Sequence, residues 1–178
     1  AGATQTYRYD VMGNMVERTL PNGATIRTDY DESGNVIREV NELGGETTVE
    51  YDLLGRIIAI TDPMGAATAY SYDANGNLLS VTDALRHATK YTYDKDGNLT
   101  SETDALGNRV RYAYTPEGWL ESITKADGTV LTFEYDKTGS LLTQHVGDGQ
   151  TVESSYNETG RVTEVSSAEG TIVYQYNG

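Results

Sequence analysis

The stretch SYDANGNLLSVTD, residues 71–83, decides the fold. Ahead of the turn, Tyr70 and Tyr72 alternate with the small residues Ala69 and Ser71, which is the period-2 pattern of a β-strand. Asp73 and Gly76 then occupy the first and fourth positions of a type I turn. In such a turn the Asp carboxylate accepts the backbone N–H two residues further on. The stretch therefore predicts two short strands joined by a tight turn.

The same pattern recurs every 21 residues along the chain. One series of glycines closes the first kind of turn: Gly13, Gly34, Gly55, Gly76, Gly97, Gly118, Gly139 and Gly160. A second series closes the alternate turns: Gly23, Gly44, Gly65, Gly107, Gly128, Gly149 and Gly170, with Arg86 in the one slot that lacks glycine. A tyrosine lies four residues before each glycine of the first series. A fixed period of this length is the signature of a repeat architecture.

The residues after the turn form a return strand in which Leu78, Ser80 and Thr82 are expected to alternate with Leu79 and Val81. The slot two residues after each first-series glycine is apolar throughout: Met15, Val36, Ile57, Leu78, Leu99, Leu120, Leu141 and Val162. Together with the tyrosines, this slot predicts one sheet face of aromatic and aliphatic columns.

Nine strands of the tyrosine type and eight of the return type give 17 strands in 178 residues. The turns are too close together for helices, so the sequence predicts an all-β fold, a continuous antiparallel meander of 21-residue two-strand repeats. Open sheets rarely exceed about 10 strands without curling. We therefore expect a sheet curled into a fragment of a spiral or shell wall.

Composition excludes several classes of function. The formal net charge of −14 disfavours nucleic acid and anionic surfaces, whose binding depends on Lys and Arg. No apolar run approaches the roughly 20 residues of a membrane helix, so no membrane insertion is expected. The chain has no cysteine, which excludes disulfides, Cys-ligated metal and thiol catalysis.

The core pattern Tyr-Asp-x-x-Gly, as in residues 72–78 and 93–99, resembles the YD repeat of bacterial RHS proteins and of the teneurins. The resemblance covers essentially the whole chain. Departures are local: Thr115, Asn157 and Asn177 replace Asp, Trp119 replaces the usual residue after glycine, and Arg86 replaces a turn glycine.

The resemblance implies a hollow β-shell that encloses a C-terminal toxin in a secreted or cell-surface protein. Residues 1–178 are then a single array of about 8.5 repeats, truncated at both ends, within a longer parent chain. The implied partners are the remaining repeats and the toxin cargo. Exposed strand edges add a hazard of edge-to-edge self-association.

The residues expected to define each repeat are the turn and column positions, and their role is structural. They are Tyr9, Asp10, Gly13, Tyr30, Asp31, Gly34, Tyr51, Asp52, Gly55, Tyr72, Asp73, Gly76, Tyr93, Asp94, Gly97, Tyr114, Gly118, Tyr135, Asp136, Gly139, Tyr156 and Gly160. Trp119 is the single candidate for an exposed contact. The alternative function is a cell-surface module that binds carbohydrate or protein through the aromatic face or the loops.

No catalytic residue, cofactor or metal is predicted. His87 and His145 lie in unrelated positions of the repeat, and the surroundings of Ser154 do not resemble a nucleophile elbow. The turn at 94–98 is rich in Asp, but its glycine is fourth where an EF-hand loop needs glycine sixth.

Overall fold

A computed structural model describes residues 4–147 and 149–176. Those residues form 17 short strands and no helix, and the strands belong to one open antiparallel sheet. The prediction of an all-β antiparallel fold is therefore confirmed. No helix in the described part of the chain has the length and apolarity to cross a membrane.

The chain divides into two compact units, one up to Ala88 and one from Thr89. The strands of the first unit are β1 (Thr6–Tyr9), β2 (Met15–Thr19), β3 (Thr25–Tyr30), β4 (Val36–Val40), β5 (Glu46–Tyr51), β6 (Ile57–Thr61), β7 (Ala67–Tyr72) and β8 (Leu78–Thr82). Each strand from β1 to β7 pairs antiparallel with the next along the chain.

The second unit has the same meander. Its strands are β9 (Ala88–Tyr93), β10 (Leu99–Thr103), β11 (Arg109–Tyr114), β12 (Leu120–Thr124), β13 (Val130–Tyr135), β14 (Leu141–Val146), β15 (Gln150–Tyr156), β16 (Val162–Ser167) and β17 (Gly170–Val173). Again each strand pairs with its successor.

A β-bulge interrupts the alternation in each return strand. Tyr72 pairs with Leu78, but Ser71 pairs with Ser80 and Tyr70 with Val81. Leu79 is therefore an extra residue in the return strand. An extra residue reverses the facing of every side chain beyond it.

The expectation that Leu78, Ser80 and Thr82 share one face is therefore wrong. Because Val81 lies opposite Tyr70, Val81 shares a face with Leu78, while Ser80 and Thr82 lie on the other side. We call the side that holds Tyr70, Tyr72 and their equivalents the tyrosine face, and the side that holds Ser71, Ser80 and their equivalents the polar face. The same shift occurs in the other hairpins closed by a first-series glycine.

The sheet has no closed apolar core. No hydrophobic side chain is buried among the described residues, and only Thr28 and Ser101 are, at 6% and 2% exposure. The tyrosines and the apolar slot are mostly half-buried by their neighbours on the same face. Stability must therefore come from contacts between adjacent strands and repeats, as in other repeat proteins.

Arg86 marks the one turn without glycine, and its backbone has a φ of 70°. The left-handed region destabilises a residue with a side chain by about 1–2 kcal/mol, whereas glycine adopts it without strain. Replacing Arg86 with Gly should raise the free energy of unfolding by about 0.5–1 kcal/mol, after allowance for the greater entropy of unfolded glycine.

Urea denaturation of the Arg86→Gly protein checks this prediction. The matched control is Gly65→Arg in the preceding turn of the same kind, where φ is 81° and no atom lies within 4 Å of the position a Cβ would take. The control should be destabilised by a similar amount. Equal stability of both variants and the parent chain would contradict the assignment of strain to Arg86.

Candidate functional site

The Asp73 turn shows how each repeat closes its hairpin. The Asp73 backbone carbonyl accepts the Gly76 N–H at 3.2 Å, and the Asp73 N–H donates to the Asn77 carbonyl at 2.9 Å. The Asp73 carboxylate completes the turn: Oδ1 accepts the backbone N–H groups of Asn75 and Asn77, and Oδ2 accepts the Asn77 side-chain amide, all at 2.9 Å. This is a type I turn followed by a left-handed glycine.

The other turns repeat this geometry with the residue types that the sequence offers. The carboxylates that accept backbone N–H groups two and four residues on include Asp10, Asp31, Asp52, Asp94 and Asp136. Where Asn157 replaces Asp, its Oδ1 accepts the same two N–H groups, from Thr159 and Arg161. Thr115 keeps only the second bond, from Trp119 at 3.3 Å. In the first-series turns this position holds an acceptor with or without a negative charge. In the alternate turns, Leu20 and Lys125 form the same two backbone bonds without a side-chain acceptor.

Hydrogen bonding lowers the pKa of several turn carboxyls. The Thr138 hydroxyl and the Ser140 N–H hold the pKa of Asp136 at about 2. The Asn77 side chain is the largest cause of the lowered pKa of Asp73. These bonds favour the ionised carboxylate because all of the donors point at it.

The lowered pKa values predict acid sensitivity. A carboxyl whose folded pKa lies below its ordinary value of 3.8 stabilises the fold above that pH and loses the contribution as pH falls towards the folded pKa, about 2 for Asp136. We expect a Tm that is nearly constant from roughly pH 5 to 8 and falls steeply below roughly pH 4.

Thermal melts followed by circular dichroism across this range provide the measurement. Asp136→Asn is the matched variant, because Asn157 shows that the turn accepts Asn. Its Tm should fall less steeply in acid than that of the parent chain. An equally steep fall in Tm for both proteins would show that the Asp136 carboxylate does not contribute to the acid sensitivity.

The tyrosine before a first-series turn ties its repeat to the one before, as at Tyr51 and Tyr72. The Tyr51 hydroxyl donates to the Val36 carbonyl at 2.9 Å, and the Tyr72 hydroxyl donates to the Ile57 carbonyl at 2.9 Å. The acceptor in each case is the backbone of the apolar slot 15 residues earlier. Other ties of this kind join Tyr30 to Met15, Tyr114 to Leu99, Tyr135 to Leu120 and Tyr156 to Leu141. The Tyr176 hydroxyl donates likewise to the Val162 carbonyl, 14 residues earlier.

The residue after the turn glycine also reaches the next repeat. The Arg56 guanidinium lies 4.7 Å from the centre of the Tyr72 ring and donates to the Asp73 carbonyl at 3.0 Å. Trp119 occupies the same slot and packs its ring 5.5 Å from that of Tyr135. Cation–π and aromatic contacts at these distances are attractive. This slot and the tyrosine tie therefore stabilise the same junction between repeats.

Trp119, predicted as the candidate exposed contact, is half-buried at this junction. Its indole lies over Gly139, where a Cβ would come within 3.0 Å of Cζ2. The structure thus places the ring against the following turn. Carbohydrate binding through Trp119 or a tyrosine column stays a prediction, which a glycan array with a Trp119→Asn control would test.

The other sequence candidates lie apart. His87 contacts Asp83 within its own turn at 2.9 Å, and His145 contacts Thr151 on the neighbouring strand at 3.0 Å. The described residues contain no cluster of three or more potential metal ligands. Sequence reasoning missed the acceptors of the tyrosine hydroxyls, because no side-chain pattern marks a backbone carbonyl.

Comparison with known families supports the repeat assignment. The model of the RHS repeat matches residues 30–67, 51–88, 93–130 and 114–151. Comparison with curated protein sequences finds no match.

Several solved structures have the same fold. A Photorhabdus luminescens Tc holotoxin pore structure, in a mutated form, is similar with a TM-score of 0.69 and 14% identity. That match covers 98% of this chain and 12% of the other. Crystal structures of TcdB2-TccC3-Cdc42 and of TcdB2-TccC3 match with TM-scores of 0.59 and 20% identity, over 97% of this chain and 12% of each of those chains. The chain therefore spans about an eighth of the length of the proteins that it resembles.

Proposed function

Since the chain belongs to the RHS repeat family, whose model matches more than half of its residues, we propose that it is a length of the β-sheet wall that encloses a C-terminal toxin in a longer, secreted or cell-surface protein. The array acts as one domain, and its work is structural. The Tyr, Asp and Gly positions define each repeat.

The observation that carries this proposal is the recurring hydrogen bond from the tyrosine hydroxyl before a first-series turn to the backbone of the previous repeat, as in Tyr51 to Val36. The bond recurs from repeat to repeat and joins two groups of the chain itself. A repeated junction of this kind allows a sheet to extend one hairpin at a time without a buried core. The fold shared with Tc toxin proteins supports the toxin-enclosing role.

Protease protection of the C-terminal region in the full-length parent protein tests the enclosing role. The region should resist a broad-specificity protease as long as the repeats are folded. Phenylalanine at Tyr51, Tyr72 and Tyr114 should allow its cleavage at a lower urea concentration, because the ties between repeats are lost. Cleavage of the C-terminal region in the intact protein as fast as in isolation would contradict enclosure.

A further inference from the structure

The polar face of the second unit carries a group of cations without acidic partners. Lys90 on β9 pairs in register with Thr103 on β10, and Thr103 pairs with Arg109 on β11. Residues directly opposite each other in register lie on the same face. Arg111 pairs with Ser101, two residues from Thr103, and so it lies on this face too. We call Lys90, Arg109 and Arg111 the basic patch.

The hydroxyl groups beside the patch position Arg109. Its Nη2 donates to Ser101 Oγ at 2.9 Å, and Ser101 Oγ lies 2.7 Å from Thr92 Oγ1. Ser101 is 2% exposed, so the guanidinium is anchored to a fixed point of the sheet. Lys90, Arg109 and Arg111 are all exposed to solvent.

Among the described residues, none of the three cations forms an ion pair. The adjoining turn contains Asp104, but its carboxylate accepts hydrogen bonds from Leu106, Asn108 and the Asn108 side chain.

On the polar face of the first unit, by contrast, cations form ion pairs. Arg27 pairs with Glu17 at 2.9 Å, and Arg38 pairs with both Asp29 and Glu46 at 3.0 and 2.7 Å. The chain has 27 acidic residues against 13 Lys and Arg, so cations without partners are not forced by composition. Three of them on one face leave a local positive charge that attracts a complementary group.

The spacing of the two arginines matches that of side chains on an extended peptide. Arg109 and Arg111 are two residues apart on one strand, about 7 Å, and Lys90 lies two strands away from Arg109, about 10 Å. Carboxylates at alternate positions of an extended peptide have the same separation of about 7 Å. We propose that the basic patch docks an extended acidic polypeptide segment with carboxylates at alternate residues, each bound by one arginine.

Charge distribution favours a peptide over nucleic acid. A nucleic acid strand extends its charge beyond the patch and meets the field of a chain with a net charge of −14. A short acidic segment confines its charge to the patch. Docking depends only on this surface, so it does not require the toxin-enclosing role.

Binding of a labelled peptide that alternates Glu and Thr, followed by fluorescence anisotropy, tests the proposal. We expect binding at roughly 0.01 M salt that weakens at roughly 0.15 M, as the Debye length falls from about 30 to about 8 Å. The double variant Arg109→Gln, Arg111→Gln should weaken binding by about fivefold, since each exposed ion pair contributes modestly. The control Lys125→Gln, Lys137→Gln changes the net charge equally and should bind as the parent chain does.

Other results would overturn the proposal. Equal weakening by both double variants would show nonspecific attraction, and absence of binding at low salt would show that the patch has no such ligand. Full competition by inorganic sulfate would indicate an anion site, and tighter binding of single-stranded DNA would indicate a nucleic-acid surface. Should the arginine variant not fold, Lys90→Gln compared with Lys137→Gln repeats the test at an exposed position.

Discussion

Replacing Tyr51 with alanine should lower the free energy of unfolding by about 2–3 kcal/mol, and replacing it with phenylalanine should lower it by about 1 kcal/mol. The larger change removes a half-buried ring from the tyrosine face and its bond to the Val36 carbonyl. The smaller change removes only the bond. The estimate for alanine lies below the full cost of a buried aromatic because the ring is partly exposed.

Urea unfolding of both variants provides the measurement. Tyr7→Phe is the control, because the Tyr7 hydroxyl donates only to the Gln5 side chain and the residue is 50% exposed. Its stability should change by less than about 0.5 kcal/mol. A Tyr51→Phe protein as stable as the parent would contradict the importance of the tie between repeats.

Replacing Gly139 with alanine should lower the free energy of unfolding by about 2–3 kcal/mol. The backbone φ of 89° costs a residue with a side chain about 1–2 kcal/mol. The added Cβ would also lie 3.0 Å from Trp119 Cζ2, and displacing the indole from Tyr135 costs about 1 kcal/mol more.

Gly118→Ala isolates the first of these two costs. Its φ is 87°, and no atom lies within 4 Å of the Cβ position. When Trp119 is replaced with Asn, the loss of stability caused by adding Gly139→Ala should fall to the loss caused by Gly118→Ala in the parent chain. Equal destabilisation of Gly139→Ala and Gly118→Ala in the parent chain would show that the Trp119 contact does not constrain the turn.

The strands and turns were predictable because local interactions determine them. The Asp73 carboxylate and Gly76 lie within one turn, and their side-chain chemistry specifies its geometry. Which side chains of the return strand share a face was not predictable in this way. The bulge beside Leu78 depends on cross-strand register, which involves a second strand and leaves no mark on the alternation in the sequence.

The junction between repeats was only partly predictable. The tyrosine columns indicated packing along one face, but the acceptor of the Tyr72 hydroxyl is the Ile57 carbonyl, 15 residues away. The partner of Trp119 likewise lies in the next hairpin. The basic patch depends on the register of three strands, so Lys90 and Arg109 are neighbours only after folding.

Thiol labelling at engineered single cysteines tests most directly whether the sheet is a wall with neither face covered. The chain has no cysteine of its own. Thr68→Cys probes the tyrosine face of β7, and Ser71→Cys probes its polar face. Met64→Cys at a 92% exposed turn position sets the fast limit, and Thr28→Cys at 6% exposure sets the slow limit.

The wall predicts that both β7 cysteines react within about tenfold of the Met64→Cys protein, since no second layer covers either face. A thiol on one face that reacts as slowly as the Thr28→Cys protein, while the other reacts fast, would contradict the account. That result would mean that one face of the sheet is covered.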